Sequence, residues 1–105
     1  VIRRYTTPVQ ELIVEGVDLT QSEVYVTFRQ NAKVYTMAGE EVAMEFDGDN
    51  TTLSVHFTQL LTAGFQAGKR AEVQVNWMKD GERNATSIAE LTITRNLLEE
   101  VIDDA

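Results

Sequence analysis

The feature that most constrains this chain is a hydrophobic period of two. Residues 22–29 read Ser22-Glu23-Val24-Tyr25-Val26-Thr27-Phe28-Arg29. On an extended backbone this puts Val24, Val26 and Phe28 on one side and Tyr25, Thr27 and Arg29 on the other. Val42, Met44 and Phe46 repeat the pattern against Ala43, Glu45 and Asp47, and Leu53, Val55 and Phe57 repeat it against Thr52, Ser54 and His56. Ala71, Val73, Val75 and Trp77 alternate with Glu72, Gln74, Asn76 and Met78, and Ala89, Leu91 and Ile93 with Glu90, Thr92 and Thr94. Weaker alternation occupies 9–15, around Leu12 and Val14, and 32–37. The spacing predicts seven short strands, each with one apolar and one polar face, which suits antiparallel sheets that are wet on one side.

The segments between these runs carry turn chemistry. Asp47-Gly48-Asp49-Asn50 and Asp80-Gly81-Glu82 contain the Asp-Gly pair of tight hairpins, and Ala38-Gly39-Glu40 is a short turn. Residues 16–20 form a longer loop, and Pro8 stands where the first strand begins, a place where a missing N–H breaks no central ladder. One stretch departs from the strand rhythm. Thr58 can cap a helix, Leu61 and Phe65 form an i, i+4 apolar pair, and Gly64 and Gly68 follow as stops.

The expected architecture is all-β: an immunoglobulin-like two-sheet antiparallel sandwich of about seven strands, with one short helical turn near 58–65. It spans residues 1–95, and residues 96–105 form an acidic and apolar C-terminal arm. The expected core comprises Val24, Val26, Phe28, Phe46, Leu53, Val55, Phe57, Val73, Val75, Trp77, Leu91 and Ile93.

Composition narrows the function classes. The chain of 105 residues is long enough for one core, and its 43% hydrophobic content is too high for disorder. There is no cysteine, which removes disulfides, thiolate metal sites and a cysteine nucleophile, and a single histidine removes most imidazole chemistry. No apolar run reaches the roughly 18 residues of a membrane span, and the first residues lack the apolar stretch of a secretion signal. The net charge of −8 opposes the phosphate neutralisation on which nucleic-acid binding depends. Acids are concentrated at Glu40, Glu41, Glu45, Asp47 and Asp49, in a stretch from Val34 to Gly68 without Lys or Arg, and again at Glu99, Glu100, Asp103 and Asp104. They read as a solvated hairpin and tail, or as a surface for a basic partner or a cation. The basic pairs Arg3-Arg4 and Lys69-Arg70 are surface residues or the complement of such a surface on another copy.

Motifs for chemistry are missing. His56 shares a strand face with Ser54, but nothing supplies the orienting acid or oxyanion hole of a triad. Asp47-Gly48-Asp49-Asn50 lacks the ordered oxygen set of a calcium loop, and a weak cation site is the alternative to a turn there. Glu40-Glu41 would need a cleft to act as a glycosidase pair. Gly64-x-x-x-Gly68-Lys69 is one residue short of a phosphate loop and leads into the wrong element. No catalytic residue, cofactor, metal ligand or small-molecule substrate is expected.

The outward stripes are better candidates. Tyr25, Arg29, Gln74, Asn76 and Met78 include residue types enriched at protein interfaces, and they merge into one patch if their strands are neighbours. Leu97, Leu98, Val101 and Ile102 lie beyond the last strand, so the arm either folds back on its own sandwich or docks on a neighbour.

Several segments resemble small proteins of phage and prophage tail modules of Gram-positive bacteria: residues 2–8 (Ile-Arg-Arg-Tyr-Thr-Thr-Pro), 17–20 with 24–30, 62–69, 73–77, Asp80-Gly81, and the ending from Leu97 to Ile102. The chain is also similar to the immunoglobulin-like N-terminal domain of baseplate upper proteins. The resemblance implies a non-enzymatic structural or accessory component of a phage tail or baseplate, located in the virion after assembly in the bacterial cytoplasm. Its partners would be other tail or baseplate proteins and possibly further copies of itself. The alternatives are a carbohydrate- or cell-surface-binding module, which calls for clustered exposed aromatics, and a small prophage-encoded regulatory inhibitor.

Overall fold

The computed structural model describes residues 1–102. Among these, nine strands follow the chain: β1 (Ile2–Arg3), β2 (Val9–Glu15), β3 (Glu23–Gln30), β4 (Lys33–Ala38), β5 (Val42–Phe46), β6 (Asn50–His56), β7 (Arg70–Lys79), β8 (Glu82–Ala85) and β9 (Ala89–Thr94). A 3-10 turn, Gly39–Glu41, joins β4 to β5, and one helix, α1 (Gln59–Ala63), lies between β6 and β7. The strands form two sheets. One has the order β1-β9-β7-β3-β4 with β8 also on β7, and the other has the order β2-β6-β5. This is an all-β, immunoglobulin-like sandwich.

All seven expected strands are present, and two short ones join them. β8 returns from β7 through Asp80 and Gly81, both at positive φ (53° and 80°), the mirror-image turn that matches strand twist. β8 has no apolar periodicity because all four of its residues are exposed. β1 pairs with β9 in parallel, Ile2 opposite Ile93, so the sandwich is not wholly antiparallel.

Alternation becomes burial where the strands are central. Val24, Val26 and Phe28 of β3, Ala71, Val73 and Val75 of β7, and Leu53 and Val55 of β6 are all buried. Phe28 meets Phe57 edge-on at 4.9 Å, and Phe57 meets Phe65 at 6.5 Å, so one aromatic series links both sheets to the segment after α1. Three expected core residues are not fully buried. Phe46 closes the edge strand β5 at its open end and is exposed, while Trp77, near the end of β7, and Leu91 of β9 are only partly buried and pack against the core from its margin. The core instead takes in Ile2, Val14, Leu19, Met37, Val42 and Phe65.

Leu19 is buried although it sits in a loop. The Thr51 hydroxyl, itself buried, accepts from Leu19 N–H at 3.0 Å and donates to Val17 C=O at 2.7 Å, fastening the loop to β6. The loop after α1 is held the same way by the buried side chain of Gln30. Its amide donates to the carbonyls of Gln66 (2.8 Å) and Lys69 (3.2 Å) and accepts from Gln66 N–H.

The helix near 58–65 is one short turn capped as expected, with the Thr58 hydroxyl accepting from Leu61 N–H at 3.2 Å. Gly64 ends it for a different reason from the one its position suggests. Its backbone stays in the right-handed region (φ −71°), so handedness does not require glycine. Space does: a Cβ there would collide with the Tyr35 hydroxyl, and the Tyr35 ring is fixed edge-on against Phe65 at 5.5 Å. Gly64→Ala is therefore expected to destabilise the fold by about 1–3 kcal/mol through overpacking. Adding Tyr35→Phe should recover part of that loss. Thermal unfolding of the two single variants and the double variant checks this, and strictly additive losses would contradict it.

Candidate functional site

β3 and β7 are adjacent and antiparallel, with Tyr25 opposite Asn76, Thr27 opposite Gln74, Glu23 opposite Met78 and Arg29 opposite Glu72. Because Val24, Val26 and Phe28 point inward, these partners all lie on the outer surface of the larger sheet. Five of the sequence-predicted residues, Tyr25, Arg29, Gln74, Asn76 and Met78, are thereby brought onto one face. Two shallow depressions mark it. One, of about 390 Å³, lies among Tyr25, Thr36, Asn76, Met78 and Arg83. The other, of about 330 Å³, lies among Arg29, Val34, Gln74 and Ile88.

The polar members are engaged within the sheet. Gln74 donates to Thr86 C=O (2.9 Å), Asn76 accepts from Arg83 (3.3 Å), and Arg29 donates to Asn31 C=O (3.3 Å). The apolar members are free: Tyr25 is 40% exposed, Met78 41%, Val34 56% and Ile88 57%. Charges around them balance, with Arg29 across from Glu72 and Arg70 3.5 Å from Glu90. Val34 and Ile88 were missed in the sequence. The alternation of Val34 and Thr36 against Tyr35 and Met37 carries the signal for the first. Ile88 lies in the break between β8 and β9, where no period applies.

The remaining candidates are on the arm, at a different place. Residues 96–102 contain neither helix nor strand and lie back on their own domain through polar atoms. Arg4 pairs with Glu99 at 2.6 Å, and Asn96 donates to Arg4 C=O at 3.2 Å. The Gln59 amide grips Ile102 from both sides, donating to its carbonyl and accepting from its N–H, each at 2.8 Å. Leu97, Leu98, Val101 and Ile102 stay exposed, Leu97 at 90%. The end of the expected arm, 103–105 with Asp103 and Asp104, lies outside the described residues.

His56 stands exposed on the outer face of β6 opposite Val9, with no hydrogen bond to Ser54. Among the described residues no group of three His, Asp or Glu side chains is placed to hold a metal ion. The exposed aromatic rings among the described residues, Tyr25 and Phe46, are on different sheets, and the partly buried Trp77 borders the depression beside Tyr25. The Asp47-Gly48-Asp49-Asn50 segment is a turn built on its own carboxylate. Asp47 Oδ1 accepts from Asn50 N–H (2.7 Å) and from Asp49 N–H (2.8 Å), and these bonds, that from Asn50 foremost, hold its carboxyl below the ordinary aspartate range. Asp18 is lowered similarly, chiefly by the Thr20 hydroxyl (2.6 Å) and then by Thr20 N–H (3.0 Å).

A carboxylate with a depressed folded pKa stabilises fully above its unfolded value, and that stabilisation is lost as pH falls through the folded value. The melting temperature should thus fall as pH drops below about 4. The Asp18→Asn/Asp47→Asn double variant, which keeps acceptor oxygens but does not titrate, should show a shallower fall. Melting curves between neutral and strongly acidic pH check this, and identical acid limbs would contradict it.

Neither a scan against protein-family models nor a search of curated proteins finds a match to this chain.

Proposed function

We propose that this chain is a non-enzymatic structural or accessory component of a phage or prophage tail or baseplate that works through protein–protein contacts. The observation that carries the reading is the outer face of the larger sheet. Tyr25 and Met78 at one depression and Val34 and Ile88 at the other form two shallow apolar patches there, with charges of both signs around them. Tyr and Met are enriched at interfaces, and a balanced rim favours orientation over non-specific attraction. Depressions this shallow suit a flat partner better than a buried small molecule. The likeness of 2–8, 62–69, 73–77 and the Leu97 to Ile102 ending to tail-module proteins supplies the setting, a virion assembled in a bacterial cytoplasm.

Quantitative mass spectrometry of purified tails from a phage or prophage carrying this gene tests the reading. The protein is expected at a fixed stoichiometry, and Tyr25→Glu with Met78→Glu should reduce incorporation by about tenfold or more while leaving the melting temperature of the isolated protein nearly unchanged. Absence from purified tails, or full incorporation of the double variant, would overturn it.

A further inference from the structure

We propose that the free edge of β2 is a strand-accepting groove for an extended segment of another protein in which Lys or Arg alternates with aliphatic residues. This deepens the assembly role above, adding a second contact on the opposite sheet with a partner of defined chemistry.

The backbone supplies the first part. β2 is an edge strand, and its seven residues pair only with β6. At one end Pro8 C=O accepts from Phe57 N–H (3.0 Å), and at the other Gly16 N–H donates to Asp49 C=O (3.0 Å). Hydrogen-bonded pairs alternate along an antiparallel ladder, so Gln10, Leu12 and Val14 bond to β6. Val9, Glu11, Ile13 and Glu15 therefore turn their N–H and C=O groups to the open side. The Gln10 amide, which donates to Glu11 C=O at 3.2 Å, satisfies one of these groups locally.

Side chains supply the second part. Beside this edge lies a groove of about 190 Å³ between the two sheets, walled by Leu12, Val14, Val73, Val75 and Ala89. It is open because the strand opposite is interrupted at 86–88, between β8 and β9. On the outer surface of β2 the order is Val9, Glu11, Ile13, Glu15, and Ile13 is 64% exposed. No Lys or Arg occurs from residue 5 to residue 28 or from 34 to 68, so β2, β5 and β6 carry neither, and the one basic side chain among them is His56 at the far end, opposite Val9.

An added strand must match both surfaces. Residues facing the groove should be small and apolar. Residues facing out should be basic beside Glu11 and Glu15 and aliphatic beside Ile13, following the preference for opposite charges across strands. The chain's own arm does not fit this requirement, since its adjacent Glu99 and Glu100 point to opposite faces of a strand, so that any register turns one glutamate into the apolar groove and adds the other to an already acidic outer surface.

The test uses two labelled peptides, Ser-Lys-Val-Ile-Val-Arg-Val-Ser and its counterpart with Glu in place of Lys and Arg. Binding to the full chain is read by fluorescence anisotropy and by amide hydrogen exchange. The basic peptide is expected to bind about tenfold or more tightly than the acidic one and to slow exchange at Glu11, Ile13 and Glu15, while Leu12 and Val14, already bonded to β6, change little. Glu11→Lys with Glu15→Lys should invert the preference. Ile13→Pro removes an outward N–H without breaking the β2–β6 ladder and should abolish binding, whereas Ile13→Thr should retain it. A folded protein that binds neither peptide, binds both equally or is protected elsewhere would overturn the inference. Protection of the same amides by raised protein concentration alone would reassign the groove to a second copy and equally overturn it. Loss of incorporation on changing Tyr25 and Met78 is read separately, so the groove can fail while the assembly role stands.

Discussion

Among the described residues no backbone ladder joins the two sheets, so apart from the connecting segments the sandwich is held together by side-chain packing. The series Phe28, Phe57 and Phe65, with Tyr35 edge-on to the last, runs from the larger sheet through the end of the smaller one to the segment after α1. That contact turns the apolar face of β3, and with it that of its ladder partner β7, inward, so that their polar faces are turned outward in register. It also explains why a five-residue helix persists, since so short a helix is unstable in isolation and is fixed here by the packing of Phe65 and the cap at Thr58.

Much of this was legible in the sequence because the side-chain period of a strand is two. The runs around Val24, Leu53, Val73 and Leu91 each show which face is buried, and Asp80-Gly81 marks a hairpin by its need for positive φ. What was not legible depends on position within a sheet. Phe46 alternates as cleanly as Phe28, but it ends an edge strand, where one side has no neighbour to cover it. Ile2 and Leu19 belong to a two-residue strand and a loop, segments too short for periodicity, and their burial follows from pairing with β9 and from the Thr51 hydroxyl. Gly64 looks like a conformational stop and is a spatial one, fixed by Tyr35 of β4, far from it in the chain.

The candidate site followed a similar division. Tyr25, Arg29, Gln74, Asn76 and Met78 could be grouped in advance because strand parity assigns them to outer faces, and adjacency of β3 and β7 unites them. The arm residues Leu97, Leu98, Val101 and Ile102 do not join that face. The arm is tied to Arg4 and Gln59 by polar atoms, an arrangement that aliphatic periodicity cannot foretell. In the proposed account the larger sheet offers a balanced, partly apolar face and the smaller sheet an acidic edge, so the two sides of one small domain are suited to different neighbours.

The central claim is that the outer face of the larger sheet is the working surface, and hydroxyl-radical footprinting of the free protein and of the protein within assembled tails tests it most directly. Tyr25 and Met78, both solvent-accessible in the isolated chain, are expected to oxidise readily there and to be protected on assembly. Equal oxidation of both residues in the two states would contradict the account.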